Sequence, residues 1–184
     1  MRYRSKVIQC CAATVANMRE EIVVLEKIVS GGQTGVDRGA LDAALKAGFS
    51  CGGWCPPGRK AEDGPIPARY PVTELEQGGY RQRTLRNVVD SDATAILYFG
   101  ELEGGTEQTL VFCIKHRKPY CLIDATELSP QRAALRLAAF AARHGVGVLT
   151  VAGPRASRQP QALAYAERAI GGLIMQARAG QPTS

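Results

Sequence analysis

The chain has 184 residues, 45% hydrophobic and 22% charged, which fits one compact domain and leaves no room for a second. Its twenty Gly and ten Pro are too scattered for a collagen-like or low-complexity polymer, and no apolar run approaches the roughly 18 residues of a membrane helix. The net charge of +6 is concentrated late: residues 128–184 carry seven Arg against Glu167 alone, while residues 1–127 are balanced. Such a field suits an anionic partner, whether nucleic acid, a phosphorylated small molecule or an acidic protein. Without regular interleaving of aromatics, a stacking platform for single strands is disfavoured.

Residues 1–21 read as a weakly patterned N-terminal extension in which Met18 is an alternative start, residues 22–178 as one ligand-binding domain, and residues 179–184 as a tail. The basic start runs into the charged MREE instead of a cleavage site, and the six cysteines (Cys10, Cys11, Cys51, Cys55, Cys113, Cys121) read as free thiols of a cytoplasmic protein. From residue 22, β-rich apolar runs alternate with segments of helical period, the pattern of an α/β fold with a mostly parallel sheet of five or six strands and helices on both faces. IVVLEKIVS is the first run, followed by a helix over Arg38–Ala47 that stops at Gly48. FSCGGW is the second. Residues 54–71, WCPPGRKAEDGPIPARYP, hold five prolines in 18 positions and predict a long packed loop facing a site. ATAILYF, PYCLI and VGVLTVA follow as strands. Ser129 and Pro130 are the N-cap and N1 residues of a helix running to Arg143 and closed by Gly145, and Leu163, Ala166, Ile170, Leu173, Ile174 and Ala177 trace an amphipathic C-terminal helix. There is no internal repeat.

Three glycine-rich turns each follow a predicted strand and precede a predicted helix: Ser30-Gly-Gly-Gln-Thr-Gly-Val-Asp37, Gly100-Glu-Leu-Glu-Gly-Gly-Thr-Glu107 and Ala152-Gly-Pro-Arg-Ala-Ser157. In a parallel sheet such turns share the carboxyl edge, where doubly wound folds bind ligands and helix N-termini offer N–H groups to an anion. The first turn nearly spells the dinucleotide fingerprint, but Ser30 replaces its first glycine and no acidic residue ends FSCGGW, so a nicotinamide dehydrogenase is disfavoured. The Walker pattern is absent. Asp37 is read as a charge at a helix start with Thr34 as N-cap, or as a ligand contact. Arg59 and Lys60 are candidates for a ligand clamp or a solvated loop tip, Arg155 for an anion grip, and Asp90 and Asp92, at the far edge of the sheet, for caps. Cys51 and Cys55 lack a second ligand pair, so no structural metal is expected. With only His116 and His144, both near helix ends, histidine catalysis has little support.

Five blocks then carry a resemblance. SGGQTGVDRGALDAA, GGWCPPGRKAEDGPIP, RNVVDSDATAIL, EGGTEQT and VAGPRAS, in order across about residues 25–175, resemble the molybdenum carrier family. That group is similar to the molybdenum cofactor carrier proteins, within a Rossmann-like superfamily that includes lysine-decarboxylase-like cytokinin phosphoribohydrolases and the DNA-processing protein A fold. The resemblance implies a Rossmann-like domain that binds the molybdenum cofactor, or otherwise a nucleoside monophosphate; a homo-oligomer (dimer or tetramer) is expected, with no membrane and with nucleic acid, which only the late arginines favour, disfavoured as a partner. On the rim turns and the Pro-rich loop the candidate binding residues are Gly31, Gly32, Gln33, Thr34, Gly35, Asp37, Arg38, Arg59, Lys60, Gly104, Gly105, Thr106, Glu107, Gly153, Arg155 and Ser157. The phosphoribohydrolase motif PGGxGTxxE, set on Gly105 and Thr106, puts Thr109 at the catalytic glutamate and Glu103 at a glycine. Binding is therefore expected over catalysis, and Glu107 is the displaced acid or nucleophile if N-glycosidic hydrolysis occurs.

Overall fold

The structure, a computed structural model, describes residues 23–179; the readings placed on residues 1–21 and 180–184 lie outside the described residues. Eight strands and five helices follow one another as β1 (Lys27–Val29), α1 (Val36–Lys46), β2 (Cys51–Cys55), β3 (Lys60–Ala61), β4 (Gly64–Pro65), β5 (Val72–Glu74), α2 (Tyr80–Val89), β6 (Ala93–Tyr98), α3 (Gly104–Lys115), β7 (Tyr120–Asp124), α4 (Pro130–His144), β8 (Val148–Ala152) and α5 (Ala162–Ala179). Six strands form a wholly parallel sheet of order β5-β2-β1-β8-β6-β7, and β3 and β4 make a separate antiparallel pair. This is the Rossmann-like α/β architecture that the alternating pattern implied.

The last strand, β8, lies between β1 and β6, so the chain's first and last glycine-rich turns become neighbours at the carboxyl edge. One face of the sheet is covered by α1, α5 and α4, whose Ala40, Ala44, Leu137, Ala141, Ala166, Ile170 and Leu173 pack on Ile28, Leu149, Val151 and Leu97. Small residues let these helices sit close: a Cβ on Gly39 would fall 2.4 Å from the Leu163 carbonyl. On the other face, Val88 of α2 and Phe112 and Cys113 of α3 pack on Ile96. The caps of α4 are as read from the sequence, with Ser129 Oγ accepting from Arg132 N–H and Gly145 in the left-handed conformation.

Two differences bear on the site. The first apolar run forms only a three-residue strand, while Val23 and Leu25, ahead of it and outside the ladder, are buried in the core. The Pro-rich segment returns to the sheet as β5, which the sequence does not announce: Val72-Thr-Glu74 is too short to show a period, and its partner β2 supplies the register. The expectation for Asp90 and Asp92 matches their bonding, since Asp92 Oδ2 accepts from the N–H groups of Gly147 and Val148 and Asp90 ends α2.

Candidate functional site

A cleft of about 550 Å³ opens at the carboxyl edge of β1, β8 and β6. All three glycine-rich turns reach it: Gln33 and Asp37 from the first, Gly104, Gly105 and Thr106 from the second, Gly153 and Arg155 from the third. Of the other sequence candidates, Gly31, Gly32, Thr34, Gly35, Arg38 and Ser157 form the structure behind the cleft, while Arg59, Lys60 and Glu107 lie away from its lining.

The first and third turns are locked together. Gly35 adopts φ 77°, and a Cβ there would meet the Pro154 carbonyl at 2.4 Å and the Ala156 nitrogen at 2.8 Å, so glycine is required both by conformation and by approach. Val36 N–H donates to the Pro154 carbonyl at 3.1 Å, and Gln33 N–H reaches Asp37 Oδ2 at 3.3 Å. The N-terminal donors of α1 are thus partly consumed inside the protein. This corrects the reading of Thr34 as N-cap: Gly35 holds that position, and Thr34 Oγ1 instead donates to Glu62 and accepts from Ala156 N–H. The third turn, unlike the first, does not open a helix, because α5 begins only at Ala162.

The second turn keeps two donors at the start of α3 free among the described residues. Gly104 takes φ 56° as the first residue of α3, after Glu103, which makes no side-chain cap. The N–H groups of Gly104 and Gly105 find no acceptor among the described residues, whereas those of Thr106 and Glu107 fold back on the Glu103 carbonyl. Orphan N–H groups at the positive end of a helix are a site for an anion. Thr106 is buried along the cleft, and Thr109 spends its hydroxyl on the Gly105 carbonyl at 2.8 Å.

A second cationic element comes from α2, which sequence reading passed over. Arg83 is only 9% exposed, lines the cleft, and donates through Nη1 to Asp37 Oδ2 at 2.9 Å. Its Nε is sealed from solvent without a partner, while Nη2 has no partner among the described residues and is not sealed. Burial pushes the Asp37 carboxyl above its ordinary range, and the charge and hydrogen bond of Arg83 pull it part of the way back. The guanidinium lies against Gly31, where a Cβ would come within 1.8 Å of Nη1. One turn further on, Asn87 fixes α2 against β2, accepting from Trp54 N–H at 2.7 Å and donating to the Trp54 carbonyl at 3.1 Å. The available signal was the spacing of Arg83 and Asn87 four residues apart, which puts polar groups on the buried face of a helix.

The Pro-rich loop acts as a strap behind the cleft. Arg59 donates to the carbonyls of Ile66, Pro67, Tyr70 and Val72, so its guanidinium organises the loop and lies outside the lining of the cleft. Lys60 is exposed on β3. Arg38 makes a two-point contact with Asp63 at 2.6 and 2.7 Å and bonds the Gly32 carbonyl, tying the loop to the first turn. Glu62 bridges the first and third turns through Thr34 and Ser157, and Gln33 Oε1 accepts from Glu62 N–H. Burial works against the Glu62 charge, but the bonds from Ser157 and Thr34 prevail and hold its carboxyl below the usual range; the Arg38 contact does the same for Asp63.

The open side of the cleft carries mixed charge. Arg155 approaches Glu62 at 3.7 Å and Arg158 approaches Glu103 at 3.8 Å, both pairs at the surface, and Tyr80, Tyr98 and Phe99 add aromatic area. Glu107 is exposed outside this lining, so the carboxylates in the cleft are Asp37, Glu101 and Glu103. Among the described residues no group of three or more His, Cys, Asp or Glu is placed to hold a metal ion, and no helix is long and apolar enough to cross a membrane.

Comparison with known proteins agrees with this architecture. No curated protein matches the sequence. A crystal structure from Syntrophus aciditrophicus SB, named "Putative molybdenum carrier protein", is 39% identical and superposes with a TM-score of 0.81, covering 84% of this chain and 98% of its own. Residues 28–174, which contain all three rim turns and the strap, match the circularly permutated YpsA SLOG family, and the chain belongs to that family.

Proposed function

We propose that this chain is a non-covalent carrier of a phosphorylated heterocycle, and that the heterocycle is the molybdenum cofactor. The observation that carries the reading is the pairing, within one cleft, of two N–H groups at the start of α3 that are unpartnered among the described residues with the unsealed side of the buried Arg83 guanidinium. A phosphate monoester suits that donor set, since charge-assisted hydrogen bonds to fixed N–H groups are the strong ones. The volume lies within the roughly 300–1,000 Å³ of small-molecule sites, and Tyr80, Tyr98 and Phe99 give a planar ring apolar surface. The similar protein from Syntrophus bears a carrier name, which supports the choice of cargo. In this reading the molybdenum arrives and leaves on the heterocycle, residues 22–178 form the ligand-binding domain, and the protein works in the cytoplasm as a homo-oligomer.

Hydrolysis of a nucleoside monophosphate is the weaker reading. Thr109 stands where a catalytic carboxylate is needed and its hydroxyl is already engaged, and Glu107 lies outside the cleft. Mass spectrometry and metal analysis of the ligand that copurifies with the protein test the proposal, with a pterin phosphate accompanied by molybdenum expected. AMP without metal would replace the carrier by a nucleotide sensor, and release of free base from AMP would replace it by an enzyme. At about 100 times its dissociation constant a bound phosphate ester adds roughly 2.7 kcal/mol, or on the order of 5 to 10 °C in melting temperature. No shift with any phosphorylated heterocycle would remove the cleft from consideration.

A further inference from the structure

The end of the sheet formed by β7 carries a second groove, also about 550 Å³, between the strand and α4. Its register with β6 decides which backbone groups are free. The Pro119 carbonyl accepts from Thr94 N–H and Ala125 N–H donates to the Tyr98 carbonyl, so residues 119, 121, 123 and 125 turn their ladder groups toward β6. By alternation the N–H and C=O groups of Tyr120 and Leu122 and the N–H of Asp124 face outward, and no strand among the described residues pairs with them; the Asp124 carbonyl already accepts from the N–H groups of Glu127 and Leu128. The groove beside this edge is cationic: Arg136, Arg143 and His144 line it, no acidic side chain does, and α4 contains none. Neither arginine has a carboxylate partner among the described residues. Phe140 lies between them, its ring 4.7 Å from that of His144.

We propose that this edge captures an extended acidic segment of another protein, which adds to the sheet as a strand beside β7. The outward ladder groups supply the main-chain hydrogen bonds of strand addition, and alternation of the incoming side chains sets its sequence. Cys121 and Ile123 point into the layer that holds α4, so the incoming residues facing that layer meet Arg136 and Arg143 and are acidic. Tyr120 and Leu122 point to the opposite layer, where Leu122 packs near Phe112, so the intervening residues are apolar. A second copy of this chain is the poorer occupant: two-fold pairing of β7 with itself would set the same arginines against each other. Part of the late arginine excess, unused at the rim cleft, is thereby given a partner of opposite sign.

A fluorescein-labelled synthetic peptide of alternating glutamate and valine is the probe, read by fluorescence anisotropy on the full chain. Wild type binds it in low salt, and Arg136→Glu with Arg143→Glu weakens it by more than about tenfold, the loss expected from two charge-assisted contacts. Both positions are exposed, and an unchanged melting temperature shows that the variant is folded. The same peptide N-methylated at alternate amides keeps its charge but cannot complete the ladder, and it fails to bind. Equal binding of the N-methylated peptide, equal binding to the charge-reversed variant, or no binding to wild type would each overturn the proposal. So would sedimentation showing that charge reversal creates or dissolves a dimer, because a second copy would then own the edge.

Discussion

Replacing Gly31 by Ala tests whether Arg83 and Asp37 form one buried unit. The new Cβ would lie 1.8 Å from Arg83 Nη1 and 2.2 Å from Cζ, so the guanidinium has to leave its place against the turn. Asp37, 3% exposed, then keeps its burial and loses its counter-ion. Removing one partner of a buried ion pair costs about 3–5 kcal/mol, which for a chain of this size lowers the melting temperature by roughly 6–20 °C. In an Arg83→Met background the pair is already gone and the steric conflict is with a slimmer apolar chain, so Gly31→Ala should cost under about 1 kcal/mol. The expected coupling is therefore about 2–4 kcal/mol, well above the roughly 0.5 kcal/mol scatter of independent sites. Urea unfolding of wild type, both single variants and the double variant, followed by the fluorescence of the single tryptophan, Trp54, measures it. The pH dependence adds a sign. Because the folded carboxyl of Asp37 sits above its unfolded value, folding takes up a proton there, and its contribution falls as pH rises from the ordinary carboxylate range through the folded value. Without Arg83 that window extends further upward, so Arg83→Met should lose less stability at pH 5 than at pH 7.5. Equal costs of Gly31→Ala in the two backgrounds, or an Arg83→Met deficit that grows toward acid, would refute the reasoning.

Three further outcomes follow from the same geometry. Thr106→Val, nearly isosteric and one residue beyond the free N–H groups, should fold normally and bind AMP or the copurifying ligand about 2- to 10-fold more weakly, the worth of one neutral hydrogen bond; titration calorimetry reads it, and an unchanged affinity removes the hydroxyl from the site. Arg155→Ala and Arg155→Lys should each weaken that ligand, with the alanine variant down about 10- to 100-fold, whereas Arg136→Ala, in the groove of α4, should leave it unchanged. Glu62→Gln combined with Asp63→Asn should open the strap, so that limited proteolysis at pH 7 cuts within residues 56–71 where wild type resists. Both carboxyls are held below their ordinary values, so their stabilising effect is present above that range and is lost as pH falls through the folded values; wild type should therefore become cleavable by an acid protease only in that lower window.

The sequence by itself determined whatever depends on neighbouring residues. The alternation of apolar runs and helical segments specified a parallel α/β sheet, Ser129, Pro130 and Gly145 specified the ends of α4, and glycine-rich turns after strands specified one rim. The tertiary structure decided which of those turns keep free donors. Insertion of β8 beside β1 presses the first and third turns together and consumes donors that the sequence counted as open, such as Val36 N–H, whereas Gly104 and Gly105 at the start of α3 keep theirs without an acceptor among the described residues. It also decided what each arginine does. Arg59 turns inward onto the carbonyls of Ile66, Pro67, Tyr70 and Val72, a choice set by how the Pro-rich segment folds on itself; Arg83, from an unremarked helix, faces the cleft, because its partner Asp37 lies far along the chain and only the packing of α2 against β2 and the first turn brings it within reach.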